Sequence, residues 1–215
     1  MKLTEMLTII VWLLLGSTGL LVVNHRLKRA IVLLAFQSLM LASIAFLAAI
    51  LSGNKHIYLA VALTLLIKVL LVSFVLGKVL RSAKTVVEGG IMGRGLSLSI
   101  CVGLVLVSYS VAQPAPFTNV ITSAHSLSVS IGMVLIGLFL MVARKKALMQ
   151  VVGLLTIENG LFLLALSTTY GLPLLVEVGI FLDVGFSIIV LGFFAFQMNR
   201  VFETMDTTTL RNLKG

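Results

Sequence analysis

Residues Arg144–Asp183 read RKKALMQVVGLLTIENGLFLLALSTTYGLPLLVEVGIFLD. A basic turn opens an apolar run whose only charge is Glu158, followed at once by Asn159. An uncharged loop then leads into a second run that holds Glu177 and Asp183. An ionised side chain at the centre of a bilayer costs about 2.5–3.5 kcal/mol on the mildest scale, so a carboxylate written into such a run must face protein or water. Glu158 and Asp183 are therefore the first candidates for a working site, and runs of this length mark an all-α integral membrane protein.

Composition agrees with that class. With 60% apolar and 11% charged residues and a mean hydropathy of +1.19, the 215-residue chain has too little polar surface to coat a soluble globule. A net charge of +9 would point to nucleic acid in a soluble protein, but here the charge follows the membrane and no nucleic-acid partner is expected. Cys101 stands alone in an apolar run, and His25, His56 and His125 share no helical turn. Without a CxxC pair, a His pair for haem or a phosphate-binding loop, no metal, cluster or nucleotide is expected on this chain.

Seven apolar segments follow one another: 6–23, 30–51, 57–80, 91–112, 122–143, 147–168 and 172–198. The first follows Lys2 and Glu5 and lacks a small-residue cleavage site, so it reads as a retained helix and not as a signal peptide. Thirteen of the sixteen Lys and Arg lie in the loops of one side, in the groups Arg26–Arg29, Lys78–Arg94, Arg144–Lys146 and Arg200–Lys214. Only Lys2 and Lys55 lie on the other, and Lys68 falls inside the third segment. By the positive-inside rule the N-terminus is outside and the C-terminus cytoplasmic, in the cell (inner) membrane, which requires an odd number of crossings. Topology and contact with anionic lipid headgroups account for the basic loops. The loop 113–119, with Pro114 and Pro116, reads as an outer turn.

A duplication is also legible. Arg26–Arg29 precede a helix with Gln37 and Ser38 as Arg144–Lys146 precede the helix with Glu158 and Asn159. Laying 67–77 over 182–192 matches Val75-Leu76-Gly77 with Val190-Leu191-Gly192 and sets Lys68 on Asp183. Two three-helix units share an orientation only if one extra crossing separates them, and the fourth segment supplies it. The expected organisation is a unit 1–88, a linking helix and outer loop 89–121, and a unit 122–215 with a cytoplasmic tail, the two units being parallel repeats of the kind transport folds use.

Lys68, Glu158 and Asp183 lie near the middle of their segments; Glu158 is twelve residues past Lys146, about 18 Å into the membrane. Glu177 is nearer the outer end and turned by about 600° from Asp183, which makes it interfacial. Small residues surround the three: Gly179, Asp183 and Ser187 share one face, and Gly153 and Gly160 flank Glu158. The second segment carries Ala35, Ser38, Ala42, Ala45 and Ala49 at three-four spacing, a packing seam. Acids and amines held in a low-dielectric site exchange protons near pH 7, so Lys68, Glu158 and Asp183, with Asn159, Gln37 and Ser187 as supporting polar groups, form a candidate proton relay. A static Lys68–carboxylate pair that locks the bundle is the alternative.

At these residues the sequence resembles known proteins. From about residue 127 to Gly215, the basic turn, the glutamate in mid-helix and the second acid one helix later resemble the K-type subunit of complex I and of Mrp antiporters. The tail Met205-Asp206 with Leu210 and Leu213-Lys214-Gly215 resembles the K-type ending as well. The whole chain, with Lys68 in Leu-Leu-Ile-Lys-Val-Leu-Leu-Val and with Glu158-Asn159-Gly160, is similar to hydrogenase-4 component E, a membrane subunit of formate-hydrogenlyase-like group 4 [NiFe] hydrogenases. By this resemblance Glu158 and Asp183 take the places of the family's first and second membrane acids. Two positions depart from the K-type pattern: Asp183 replaces a usual Glu, and Phe162 replaces an Asn found in many K-type helices.

The resemblance implies a proton-conducting subunit without redox catalysis of its own. It implies antiporter-like and quinone-chamber-like membrane partners, and a peripheral hydrogenase arm that carries the Fe–S clusters and the NiFe site. A structural scaffold and a stand-alone cation/proton antiporter are the rival readings.

Overall fold

The computed structural model describes residues 3–52, 58, 61–62, 68, 92–113, 124–168 and 185. They form five helices: α1 Leu3–Val23, α2 Leu27–Ser52, α3 Arg94–Ala112, α4 Ala124–Ala143 and α5 Ala147–Thr168. Each is long and apolar enough to cross a membrane. They correspond to the first, second, fourth, fifth and sixth segments of the sequence. The third and seventh segments lie outside the described residues, save for Tyr58, Val61, Ala62, Lys68 and Gly185.

α5 begins and ends where the apolar run does. α2 starts three residues earlier than expected, because Lys28 and Arg29 can lay their methylene stems along the helix and keep their charged heads at the surface, where both are exposed. α3 starts three residues later, since Gly93 in front of it is extended (φ −61°, ψ 153°).

Two helix pairs are joined in the same manner. α1 gives way to α2, and α4 to α5, across the breaks 24–26 and 144–146. In each, the carbonyl of the last break residue accepts from the amides three and four positions on. Arg29 N and Ala30 N donate to Arg26 O at 3.1 and 3.2 Å, and Met149 N and Gln150 N donate to Lys146 O at 2.9 and 3.1 Å. α1 packs on α2 and α4, α2 packs on α5, and α3 lies against α4 and α1.

The closest approach is between α4 and α5. A Cβ placed on Gly153 would lie 2.8 Å from Gly137 O, and one on Gly160 would lie 3.0 Å from Ser130 O, so glycine lets the two backbones touch. The seam on α2 is also interior: Ser38, Ala42, Ala45 and Ala49 are buried.

Arg144 ties the two pairs together. A helix leaves its last carbonyls unpaired, and those of α1 are met by the Arg144 guanidinium, itself buried. Its Nη2 donates to Val22 O at 2.5 Å, Asn24 O at 3.3 Å and Leu21 O at 3.5 Å, while Nη1 donates to His25 Nδ1 at 2.6 Å. Charge-assisted bonds to the C-terminus of a helix are favourable, and a planar fork can serve several acceptors together. Arg144→Ala is expected to cost about 3 kcal/mol, read as a fall in the thermal unfolding midpoint of the detergent-purified protein. Arg144→Lys should recover only part of it, because a point charge cannot span the same acceptors.

That contact places the C-termini of α1 and α4 at one end of the bundle. At the other end Tyr109 Oη lies 3.2 Å from His125 Nδ1, bringing the end of α3 to the start of α4, while Trp12 of mid-α1 stacks on Tyr109 (6.0 Å between centroids). Arg94 therefore points towards the end that holds Arg26, Lys28, Arg29 and Arg144–Lys146. Among the described residues every Lys and Arg except Lys68 is at that end.

Two apolar clusters fill the interior, one above the other. The cluster towards the basic end joins Leu21, Leu27, Leu34, Ile136, Met149 and Leu155; the other joins Leu14, Leu41, Ala45, Met133, Phe162 and Leu166. On α1, α2 and α5 the residues between the two levels are polar and buried: Ser17 and Thr18, Gln37 and Ser38, Thr156, Glu158 and Asn159. The outer surface, with Leu13, Leu20, Val32, Leu39, Val102 and Leu106 exposed, is apolar as a lipid-facing surface must be.

Candidate functional site

One hydrogen-bonded arm runs through the polar layer between the two apolar clusters. It starts on α1, where Thr18 Oγ1 donates to Leu14 O at 2.9 Å, the usual bond of a threonine to the turn before it. Gln37 Nε2 on α2 donates to Thr18 Oγ1 at 3.0 Å. Asn159 Nδ2 on α5 donates to Gln37 Oε1 at 3.3 Å, and Lys68 Nζ donates to Asn159 Oδ1 at 3.1 Å. Lys68 Nζ also stands 3.6 Å from Glu158 Oε1 and 5.6 Å from the centre of the Phe162 ring.

Both members of the ion pair are 3% exposed by side chain, so neither charge leans on water at the surface. An ion pair buried to this degree owes its survival to good geometry and to further hydrogen bonds, and losing one member strands the other at about 3–5 kcal/mol. Asn159 provides such a bond to the ammonium. Phe162, one turn after Glu158, adds the face of its ring. Phe162 thus sets an aromatic ring against the cation.

Ser17 and Thr156 lie at the same level but bond to their own helices, to Leu14 O at 2.7 Å and Val152 O at 2.8 Å, and so do not extend the arm. Chemically, the arrangement pairs one acid and one amine, both able to bind and release a proton, and fixes the amine from the far side with two amides and a hydroxyl.

Of the residues singled out in the sequence, Glu158, Lys68, Asn159 and Gln37 come together, from positions as far apart as 37 and 159. Asp183, Ser187 and Glu177 lie outside the described residues. Thr18 escaped sequence reasoning; its signal was a polar pair, Ser17-Thr18, in an otherwise apolar helix. Arg144 was visible only as one of a basic group, and its burial against α1 was not.

No protein-family model matches the chain, and no solved structure matches it. Hydrogenase-4 component E of Escherichia coli (strain K12) is 30% identical over 182 residues, 84% of this chain and 84% of the relative. The chain belongs to the hydrogenase-4 component E family. Component E of Shigella flexneri aligns with the same identity and extent. An uncharacterized protein of Mycobacterium tuberculosis is 31% identical over 199 residues, covering 91% of this chain and 90% of its own length. Matches that run over more than four-fifths of each partner join the chain to its relatives along its length and not through one apolar helix. With five helices among the described residues long and apolar enough to cross a membrane, this family member is a multi-pass membrane protein.

Proposed function

We propose that this chain is a proton-translocating subunit in the membrane arm of a complex-I-related hydrogenase or oxidoreductase, and that Glu158 and Lys68 exchange its protons. The observation that carries the reading is the buried pair itself, Lys68 Nζ at 3.6 Å from Glu158 Oε1, in a polar layer between two apolar clusters. A proton moved from Nζ to the carboxylate turns two charges into two neutral groups. Taking two charges out of water offsets much of their mutual attraction, so the pair is sensitive to its surroundings. A small electrostatic change next to the pair then decides which form is occupied, and that is how redox work in a partner reaches this chain. The proposed relay passes on to Asp183, with Ser187, four residues later in the sequence, and Glu177 as supporting polar groups.

In this proposal the basic end faces the cytoplasm, in the inner membrane. The neighbours are antiporter-like and quinone-chamber-like subunits, and the Fe–S clusters and the NiFe or quinone-reducing site belong to a peripheral arm. The units 1–88 and 122–215 are parallel repeats. The matching breaks 24–26 and 144–146 support this, as does the packing of α1 on α4 and of α2 on α5. In that register Ser38 stands as many residues after Arg26 as Glu158 does after Lys146, and both are buried in the polar layer.

The test is to purify the tagged chain from native membranes, identify what accompanies it and reconstitute that complex in vesicles. A hydrogenase module and large antiporter-like subunits are expected. The triple variant Lys68→Met, Glu158→Gln, Asp183→Asn should assemble and lose proton translocation. Retained coupling in that variant would make the chain a scaffold; a chain that purifies alone and drives uptake alone would make it a free-standing antiporter.

A further inference from the structure

The arm from Lys68 to α1 has a direction, and one residue sets it. An ammonium only donates, so Asn159 must turn its Oδ1 to Lys68 Nζ. Its amide nitrogen then faces Gln37, which must answer with Oε1, and the Gln37 nitrogen in turn faces Thr18 Oγ1. The hydroxyl accepts there and sends its own hydrogen to Leu14 O, where the chain of donors ends on a backbone carbonyl. Four successive bonds of 3.1, 3.3, 3.0 and 2.9 Å thus all donate away from Lys68.

Such an arm is poor at carrying protons. A hydroxyl or a water can pass a proton by accepting one and releasing another, whereas a carboxamide is neither a useful acid nor a useful base near neutrality, and two stand in series here. What the arm does well is hold. Thr18, Gln37 and Asn159 are 0, 0 and 2% exposed, with no room to turn the amides over without breaking a bond at each end.

We propose that Thr18 and Gln37 are positioning residues: through Asn159 they hold the Lys68 ammonium against Glu158, and the proton route runs through Lys68 and Glu158 without entering α1 or α2. This rests on the reading of Glu158 as a proton carrier. Thr18, on a different helix and three hydrogen bonds from Lys68, governs the pair from a distance, since the isosteric Thr18→Val removes the acceptor of Gln37 Nε2 and leaves the arm unanchored at its α1 end.

The experiment uses the assembled complex in vesicles, with two readouts: the initial rate of proton translocation, and the infrared carboxyl band assigned to Glu158 by its loss in Glu158→Gln. Thr18→Val should slow translocation on the order of ten-fold, the scale set by misplacing a reacting group, and should shift that band. Thr18→Ser, which keeps the hydroxyl, should restore both, and Gln37→Leu should act as Thr18→Val does. The proposal is overturned if Thr18→Val leaves rate and band at their wild-type values, if Thr18→Ser fails to restore them, or if an assembled Thr18→Val complex is blocked as fully as Glu158→Gln. Unaltered translocation in Glu158→Gln overturns both this inference and the function it rests on, whereas a blocked Glu158→Gln with a silent Thr18→Val overturns this inference alone.

Discussion

A chain carrying Gly153→Leu is expected to be missing from the assembled membrane complex. The Cβ alone would stand 2.8 Å from Gly137 O, 2.9 Å from Met141 Cγ and 3.0 Å from Met141 N, and two of these three atoms belong to backbone that cannot swing aside. Gly137 presents the same obstacle from α4, with 2.8 Å to Gly153 O and 2.9 Å to Ile157 N. α4 and α5 must therefore separate, and α5 is the helix that carries Glu158 and Asn159 to Lys68. In lipid no hydrophobic force redraws separated helices together, so close packing is most of what holds this pair. The cost should exceed the about 5 kcal/mol that is exceptional for a point change. Gly153→Ala, with the Cβ only, should cost about 1–3 kcal/mol. Gly16→Ala and Gly19→Ala, which meet nothing within 4 Å, should leave the amount of assembled complex unchanged, as read by immunoblot of native gels.

Those glycines also show what kind of information the sequence carries. The five described helices were legible because a membrane demands long apolar runs, and Glu158 and Lys68 could be singled out because a charge in such a run has no ordinary explanation. Gly153 and Gly160 could be marked as permitting close approach, but not assigned a partner helix, since any helix profits from a small residue. Thr18 was hidden for a physical reason. A threonine satisfies its own hydroxyl on the preceding turn and so sits at ease in apolar helices with no further function. Only its second bond, from Gln37, distinguishes it, and that depends on how α1 and α2 are set against one another.

Arg144 was hidden in the opposite manner. Among Arg144, Lys145 and Lys146 every residue serves the topology signal equally, and only the fold separates Arg144, buried on the carbonyls of α1, from the exposed Lys145. The duplication was read from Val-Leu-Gly and from basic turns. The feature that bears most directly on it among the described residues is geometric: two three-residue breaks with the same pair of backbone bonds.

The second large effect concerns Glu158. Gln keeps the size and most of the shape of the side chain and can lie beside Lys68, so the bundle has no steric reason to change. What Gln cannot do is bind and release a proton, and if the Lys68–Glu158 pair is the carrier, its exchange stops. Removing a proton-transfer group outright is worth about a hundredfold or more in rate. The amide also removes the carboxylate charge that stands 3.6 Å from Lys68 Nζ. The measurement that meets this most directly is proton uptake into vesicles holding the reconstituted complex, followed with a pH-sensitive dye during turnover, wild type against Glu158→Gln. The account predicts uptake reduced about a hundredfold or more in a complex that retains all its subunits; uptake at the wild-type rate would contradict it.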